Sequence, residues 1–450
     1  MNKIFGLLTA CLFGATALQA AENNHVILIS IDGLRPEFYK ETSWPTTHIR
    51  QALKQGSYAD GVTGVFPTVT YPSHTAMITG VKPLKHGIYY NTPPEPLGVT
   101  GKWNWFYDSI RVPTLFTAAK AQGLSTASFF WPVSVGMPAD YTVPEYWYLP
   151  KAKGEKRDMK HALSDMAYPK GFFQELEDNA IGKVDEIDFD GDFLSMDDLT
   201  TKMACYTIRK YKPNFLTLHL VTVDHFQHEQ GRNGDKVQAS LAAVDHAIMQ
   251  LMEAVEKAGI KEHTTFIITG DHGFVDIHTS INPNVWLAQA GLYDPKHPEH
   301  WKAYFHASGA SAFLLLKDKK DTKTLKMVNE LLAKLPEDQK KLFAVKDRTN
   351  LDQVGASGES FLALAPVKGY TFGNSAEGDV LKKAKGGTHG FYPDFKEIQT
   401  GFMAFGYGIR PGVVIPEMSL TDVAPIIARL LHIPFPSAEG KIPANLLIVE

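Results

Sequence analysis

Three aspartates and three histidines carry the first chemical signal in the sequence. Asp32 follows the apolar run from Val26 to Ile31, Asp224 closes the run from Phe215 to Val223, and Asp271 follows Phe266 to Thr269 and Gly270. His228 lies four residues after Asp224, His272 directly follows Asp271, and His389 sits in the glycine frame Gly386-Gly387-Thr388-His389-Gly390. Carboxylate with imidazole is a donor set for zinc or a similar divalent transition ion. Six donors exceed one tetrahedral site, and two neighbouring ions would use them better. Taken singly, a strand-ending aspartate serves equally as a turn or helix-cap residue, so the signal lies in the whole set reaching one edge of one sheet. His74, His219, His225 and His278 lie nearby in sequence and read as ordinary members of the seventeen histidines.

A nucleophile is available as well. Phe66-Pro67-Thr68-Val69-Thr70-Tyr71-Pro72-Ser73-His74 leads from a turn into a helix expected to reach Thr79 and stop at Gly80, with Thr70 near its start. Free amides and the positive end of the helix dipole favour a phosphate there. A threonine hydroxyl is a poor nucleophile at neutral pH unless a divalent cation stabilises its alkoxide; otherwise Thr70 is an N-cap that starts a helix.

These residues need a scaffold. The runs ending in Asp32, Asp224 and Asp271 read as strands buried on both faces, and helices are expected between them from Pro113 to Ala121 and from Val237 to Ala258. Strands alternating with helices imply an α/β fold with a parallel sheet covered on both sides, whose ligands bind beyond the carboxyl ends of the strands. Residues 278–387 shift in composition and read as an inserted α+β cap, with strands at Ala312 to Leu316 and Ser360 to Pro366 and a helix from Asp321 to Leu335. The core is then 21–277 and 388–450, closing with a strand from Phe402 to Tyr407 and a helix from Leu420 to Leu431. Lys151 to Asp198 is polar and reads as an exposed, irregular excursion.

The chain has 450 residues with 45 Lys and Arg against 49 Asp and Glu, a formal charge of −4 without a long basic block. That argues against general nucleic-acid binding. Residues 1–20 read as an export signal, with Lys3 ahead of an apolar run and small residues at Ala17, Ala20 and Ala21, so a secreted, periplasmic location is expected. Leu8-Thr9-Ala10-Cys11 offers a lipoprotein anchor as the alternative. No later run of 18 apolar residues would span a membrane. After signal cleavage Cys205 stands alone, which excludes an internal disulfide. Glu186 to Asp197 resembles a calcium loop but has Glu at its first position and Asp at its last, so a solvated acidic loop is the expectation.

Ile29-Ser30-Ile31-Asp32-Gly33-Leu34, the string from Phe66 to His74, Thr79-Gly80 to His86-Gly87-Ile88, Asp224 to His228, Thr269-Gly270-Asp271-His272-Gly273 and Gly387-Thr388-His389-Gly390 occur in one order. That order resembles the nucleotide pyrophosphatase/phosphodiesterase branch of the alkaline phosphatase superfamily. The resemblance implies an alkaline-phosphatase-like, mostly parallel sheet flanked by helices and a hydrolase with two divalent ions, expected to be zinc. It also implies a phospho-threonine intermediate. Asp224, His228 and His389 would hold one ion; Asp32, Asp271 and His272 would hold the other, with Thr70 bound to it. Asn91 matches a position whose amide would hold a non-bridging phosphate oxygen, and Tyr71 one whose aromatic ring could stack on the substrate.

Two departures bear on substrate contacts: Ser73 stands where relatives commonly have asparagine, and Tyr71 replaces phenylalanine. A sulfatase box needs an oxidisable cysteine or serine and ends in arginine, which Thr70 and His74 do not supply. With no arginine beside the nucleophile, diester cleavage is preferred to monoester cleavage. The expected substrate is a small phosphodiester or nucleotide, and the oligomeric state is open. The alternatives are a phospholipase C-type enzyme acting on lipid head groups, a phosphomonoesterase, or a non-catalytic metal- or nucleotide-binding protein.

Overall fold

A computed structural model describes residues 24–149, 155, 158–184 and 192–448. The leader-like segment, Cys11 and residues 186–191 of the acidic loop lie outside the described residues. The central sheet has eight strands: β1 (His25–Ile31), β2 (Gly56–Ala59), β3 (Thr126–Phe129), β4 (Tyr141–Val143), β5 (Phe215–Leu220), β6 (Thr264–Thr269), β7 (Phe402–Gly406) and β8 (Val414–Ile415). Their order is β8-β2-β7-β6-β1-β5-β3-β4. β7 runs antiparallel to β2 and β6, and the other pairings are parallel. The expected mostly parallel α/β sheet is therefore the observed fold, with the reversed strand entering late in the chain.

The pleat of β1 shows why it is apolar throughout. Ile27, Ile29 and Ile31 enter one core, packed by α2 (Phe193–Tyr211) and α4 (Asp235–Lys257). Val26 and Leu28 enter the other, with Met77 and Ile78 of α1 (Thr70–Thr79) and the apolar face of α5 (Val423–Leu430). Both faces are covered, as a parallel sheet requires. Each fully buried Ile or Leu stabilises the fold by about 1.5–3 kcal/mol. Ser30 and Asp32 continue the Val26/Leu28 face, so Asp32 leaves the sheet on the side where α1 lies.

Two expectations change. The segment within 151–198 is not an irregular excursion: helices Met159–Met166 and Phe172–Leu176 deliver Met159, Leu163, Phe172, Phe173 and Leu176 into the main core. The charged residues around these short helices mask their apolar face in the sequence. Asp197, the last position of the calcium-like string, lies within α2 and its buried carboxylate accepts from the amides of Val221 (2.9 Å) and Thr222 (3.0 Å). It ties α2 to the end of β5.

Between β6 and β7, strands Ala303–Ser308, Ser311–Leu316, Phe343–Lys346 and Ala363–Pro366 form an antiparallel sheet. Helix Thr322–Ala333 packs Val328 and Leu332 with Phe305, Leu314 and Leu364 in a core of their own. The turn at Gly309 meets the central unit, where the Ala310 amide donates to the His389 carbonyl at 2.6 Å. No helix among the described residues is long and apolar enough to cross a membrane.

Candidate active site

The three central strands β6, β1 and β5 end at one level, with Ser30 in register with both Thr269 and His219. Asp32 follows β1 directly, and Asp271 follows β6 after Gly270. Asp224 differs from the expectation that it ends a strand. β5 stops at Leu220, and Asp224 lies in the first turn of α3 (Thr222–Gln230). One turn on, His228 shares its face, as i and i+4 positions do. Gly33 makes the turn after Asp32 with φ +71; its amide donates to Asp271 Oδ1 at 3.0 Å. A Cβ there would come within 2.7 Å of Gln227 Nε2.

The structure brings all six predicted donors together. Asp224, His228 and His389 form one compact group of possible ligands, and Asp32, Asp224 and His272 another, so Asp224 belongs to both. Asp271 adjoins the second through Oδ2, 3.1 Å from His272 Nε2, which also lies 3.2 Å from Asp32 Oδ1. His228 Nε2 is 3.5 Å and His389 Nε2 3.6 Å from Asp224 Oδ1. The rings of His272 and His389 stack at 3.5 Å.

The backbone fixes which ring nitrogen faces inward. Nδ1 of His228 meets the Gly387 carbonyl at 2.9 Å, that of His389 the Thr68 carbonyl at 3.1 Å, and that of His272 the Gly273 carbonyl at 3.2 Å. A carbonyl only accepts, so each Nδ1 carries the proton and donates it, leaving Nε2 as an acceptor directed at carboxylate oxygens. Acceptors thus face acceptors. Asp32 Oδ1, Asp224 Oδ1, Asp271 Oδ2 and His272 Nε2 are buried without a hydrogen-bond partner. A cation among them satisfies all four, and this is the test by which the residues fit a metal.

Burial sets the protonation tendencies. It pushes the Asp32 carboxyl well above the usual range, helped by the charges of Asp224 and Asp271, and raises Asp271 too. Burial also holds His272 well below the usual imidazole value and pushes His389 down to about 4. His272 and His389 are therefore kept neutral, as ligands must be, while Asp32 and Asp271 need positive charge beside them to ionise.

Thr70 is the first residue of α1 and is buried beside the donors. Pro72 is tolerated in that first turn because its missing N–H would have no helical acceptor. Asn91 accepts from the Tyr71 amide through Oδ1 at 2.8 Å, which leaves its Nδ2 end as a donor. Thr70, Asn91, Asp32, Asp224, His228 and His389 line a cleft of ≈ 470 Å³, whose apolar wall includes Trp103, Trp147 and Phe193. Asp271 and His272 lie beneath it, fully buried. No lysine or arginine lines the cleft among the described residues.

Tyr71 does not reach the cleft. Its ring is buried, and its hydroxyl donates to Glu145 Oε1 at 3.0 Å. Trp103 and Trp147 instead offer aromatic surface. Sequence reasoning missed Glu145 and passed over His219. His219 Nε2 lies 3.1 Å from Asp32 Oδ2, and its Nδ1 lies 3.2 Å from both Glu145 Oε2 and the Phe130 carbonyl. Burial alone would lower its pKa, but hydrogen bonds and charges of the two carboxylates raise it well above the ordinary value. The signal was the pleat: Phe215, Thr217 and His219 alternate to the face that carries Ser30 and Asp32. His74, His225 and His278 fall outside the two donor groups.

A family model described as type I phosphodiesterase / nucleotide pyrophosphatase matches residues 26–392. Ectonucleotide pyrophosphatase/phosphodiesterase family member 3 of Rattus norvegicus is 23% identical over 91% of this chain and 42% of its own length. Venom phosphodiesterase 2 of Crotalus adamanteus is 22% identical over 93% of this chain and 47% of its own. The chain spans less than half the length of these relatives. The structure of murine ectonucleotide pyrophosphatase / phosphodiesterase 5 superposes with a TM-score of 0.65 at 18% identity, covering 93% of this chain and 97% of that one. An inactive threonine-to-alanine form of the murine protein, in complex with AMP, gives 0.64 at 17% over the same shares. Identities this low carry a likeness of fold. The match of the family model, which spans most of the chain and ends before β7, β8 and α5, makes this chain a member of the type I phosphodiesterase / nucleotide pyrophosphatase family.

Proposed function

We propose that the protein is an exported metal-dependent phosphodiesterase or nucleotide pyrophosphatase that cleaves small phosphodiester or phosphoanhydride substrates through a phospho-threonine. Four partnerless buried polar atoms on Asp32, Asp224, Asp271 and His272, beside Thr70 at a helix start, carry this reading. Asp224, His228 and His389 would hold one divalent ion and Asp32, Asp271, His272 and Thr70 a second; zinc suits this oxygen and nitrogen set. When bound, the ions would lower the pKa of the Thr70 hydroxyl and offset charge on the phosphate and leaving group.

The chain's own residues do the rest. Thr70 Oγ attacks phosphorus in line, its bond to phosphorus forming as the bond to the leaving oxygen breaks. The Asn91 amide donates to a non-bridging oxygen, where negative charge grows. The positive end of the α1 dipole, at Thr70, favours the phosphate charge there. Water then attacks the phospho-threonine and releases Thr70, so two displacements give retention at phosphorus.

A cleft without lysine or arginine among the described residues favours a diester over a dianionic monoester. Trp103 and Trp147 offer stacking for a base or another planar group. Relatives named as phosphodiesterases and nucleotide pyrophosphatases support that class, and the apolar start of the chain supports export. Parallel assays with a nucleotide diester, a choline phosphodiester and a phosphate monoester test the reading. Fastest turnover of the nucleotide diester is expected. Preference for the monoester contradicts the assignment, and turnover of the choline ester alone transfers it to lipid head groups.

A further inference from the structure

Beyond Asp32, the buried string that runs on through His219, Glu145 and Tyr71 has no part in the chemistry above, although it touches both halves of the machinery. It begins at Asp32 Oδ2, 3.1 Å from His219 Nε2, and passes through His219 Nδ1 to Glu145 Oε2 at 3.2 Å. Glu145 Oε1 then accepts from the Tyr71 hydroxyl at 3.0 Å, and the Tyr71 amide donates to Asn91 Oδ1 at 2.8 Å. Tyr71 is the residue next to Thr70. All four side chains of the string are buried. Around it, the His74 ring packs edge-on to His219 at 4.3 Å and to Trp131 at 4.7 Å, so the imidazole is confined from the side.

A buried carboxylate is costly unless paired, and a glutamate lining the cleft just past β4 is not required by packing. Its geometry suggests what it does. Asp32 has two oxygens with different surroundings: Oδ2 is engaged by His219, whereas Oδ1 faces His272 Nε2 at 3.2 Å and lacks a hydrogen-bond partner. Holding Oδ2 fixes the plane of the carboxylate and aims Oδ1 at the ion position. Partners of this kind beyond the ligands typically alter metal affinity by 10–100-fold.

We infer that His219, oriented by Glu145, is a positioning residue that aims the Asp32 carboxylate at the ion held with Asp271 and His272, and that Tyr71 ties this support to the helix bearing Thr70. The inference rests on the two-ion reading above. It requires a donor at the His219 Nε2 position, which gives it a specific signature. Glutamine can carry an amide N–H to that point, whereas leucine fills similar volume and carries none.

The experiment measures zinc affinity for each of two ions by chelator competition, with thermal midpoints, in the full chain and in His219→Leu, His219→Gln, Glu145→Gln and Tyr71→Phe. In His219→Leu one ion is expected to weaken 10–100-fold while the other keeps its affinity. His219→Gln should restore most of the loss. Glu145→Gln, close in shape to the native residue, should fall between them and serves as the probe if His219→Leu does not fold. Tyr71→Phe should stay within a few-fold of the unmodified chain. Unchanged affinities in both His219→Leu and Glu145→Gln overturn the inference alone. So does equal weakening of both ions with no recovery in His219→Gln, which marks a packing role. An unmodified chain that binds no zinc overturns the two-ion reading and this inference with it.

Discussion

The two donor groups share Asp224 yet stand in different surroundings. Asp271 and His272 are fully buried at the ends of sheet strands, and Asp32 is nearly so. Across the cleft, 41% of the His228 side chain is exposed, on a helix, and His389 lies on a loop held by the Gly309 turn. Burial decides what each group does without a cation. The inner one leaves buried acceptors facing acceptors, while the outer one is open to solvent at His228, although its His389 is buried. The inner group therefore needs its ion for stability as well as chemistry, and the outer group should exchange its ion more freely.

The largest expected effect is on the nucleophile that both groups flank. Thr70→Ala should lower kcat by on the order of 10³-fold or more while zinc content stays at the unmodified level. Stopped-flow assays with metal analysis would check it, and substantial turnover would remove Thr70 from the mechanism.

Next come variants that set one group against the other. Asp271→Asn should lose an ion and about 10²-fold or more in kcat, without recovery in excess zinc. His228→Ala should weaken zinc binding about 10–100-fold and recover much of its activity in excess zinc. Equal recovery of the two variants would erase the distinction between inner and outer groups.

Much of this arrangement was legible beforehand because it is local. The continuous apolar run of β1, the glycine after Asp32 and the Asp-His spacings need no tertiary knowledge. Phe172, Phe173 and Leu176 were misread because the charges around them hid an apolar face that only packing reveals. Glu145 was silent for a different reason: it lies 113 residues from Asp32 and meets it through His219, a pairing that depends on strand order. Tyr71 matched an aromatic position, but its hydroxyl turned the ring inward to Glu145.

Smaller effects test the scaffold that keeps the groups apart. Gly33→Ala puts a Cβ at φ +71 against Gln227 and should destabilise the fold by about 1–3 kcal/mol, seen as a lower urea midpoint. Acid supplies a milder probe outside both groups. Burial pushes His86 down to about 3 and His306 to about 4, from an ordinary value of 6.5. Because the folded value is the lower one, the unfolded chain takes up these protons first. The contribution of these two histidines is complete above pH 6.5 and falls toward pH 4 by up to about 1.4 kcal/mol per pH unit for each. Urea titrations at pH 7 and pH 5 would measure the slope, and His86→Gln should flatten it.

The most direct measurement is the stoichiometry of zinc bound at saturation, read by equilibrium dialysis and elemental analysis of the full chain. The account predicts two ions per chain, one retained longer than the other as chelator is raised. A chain that saturates with one ion, or stays bare, contradicts it.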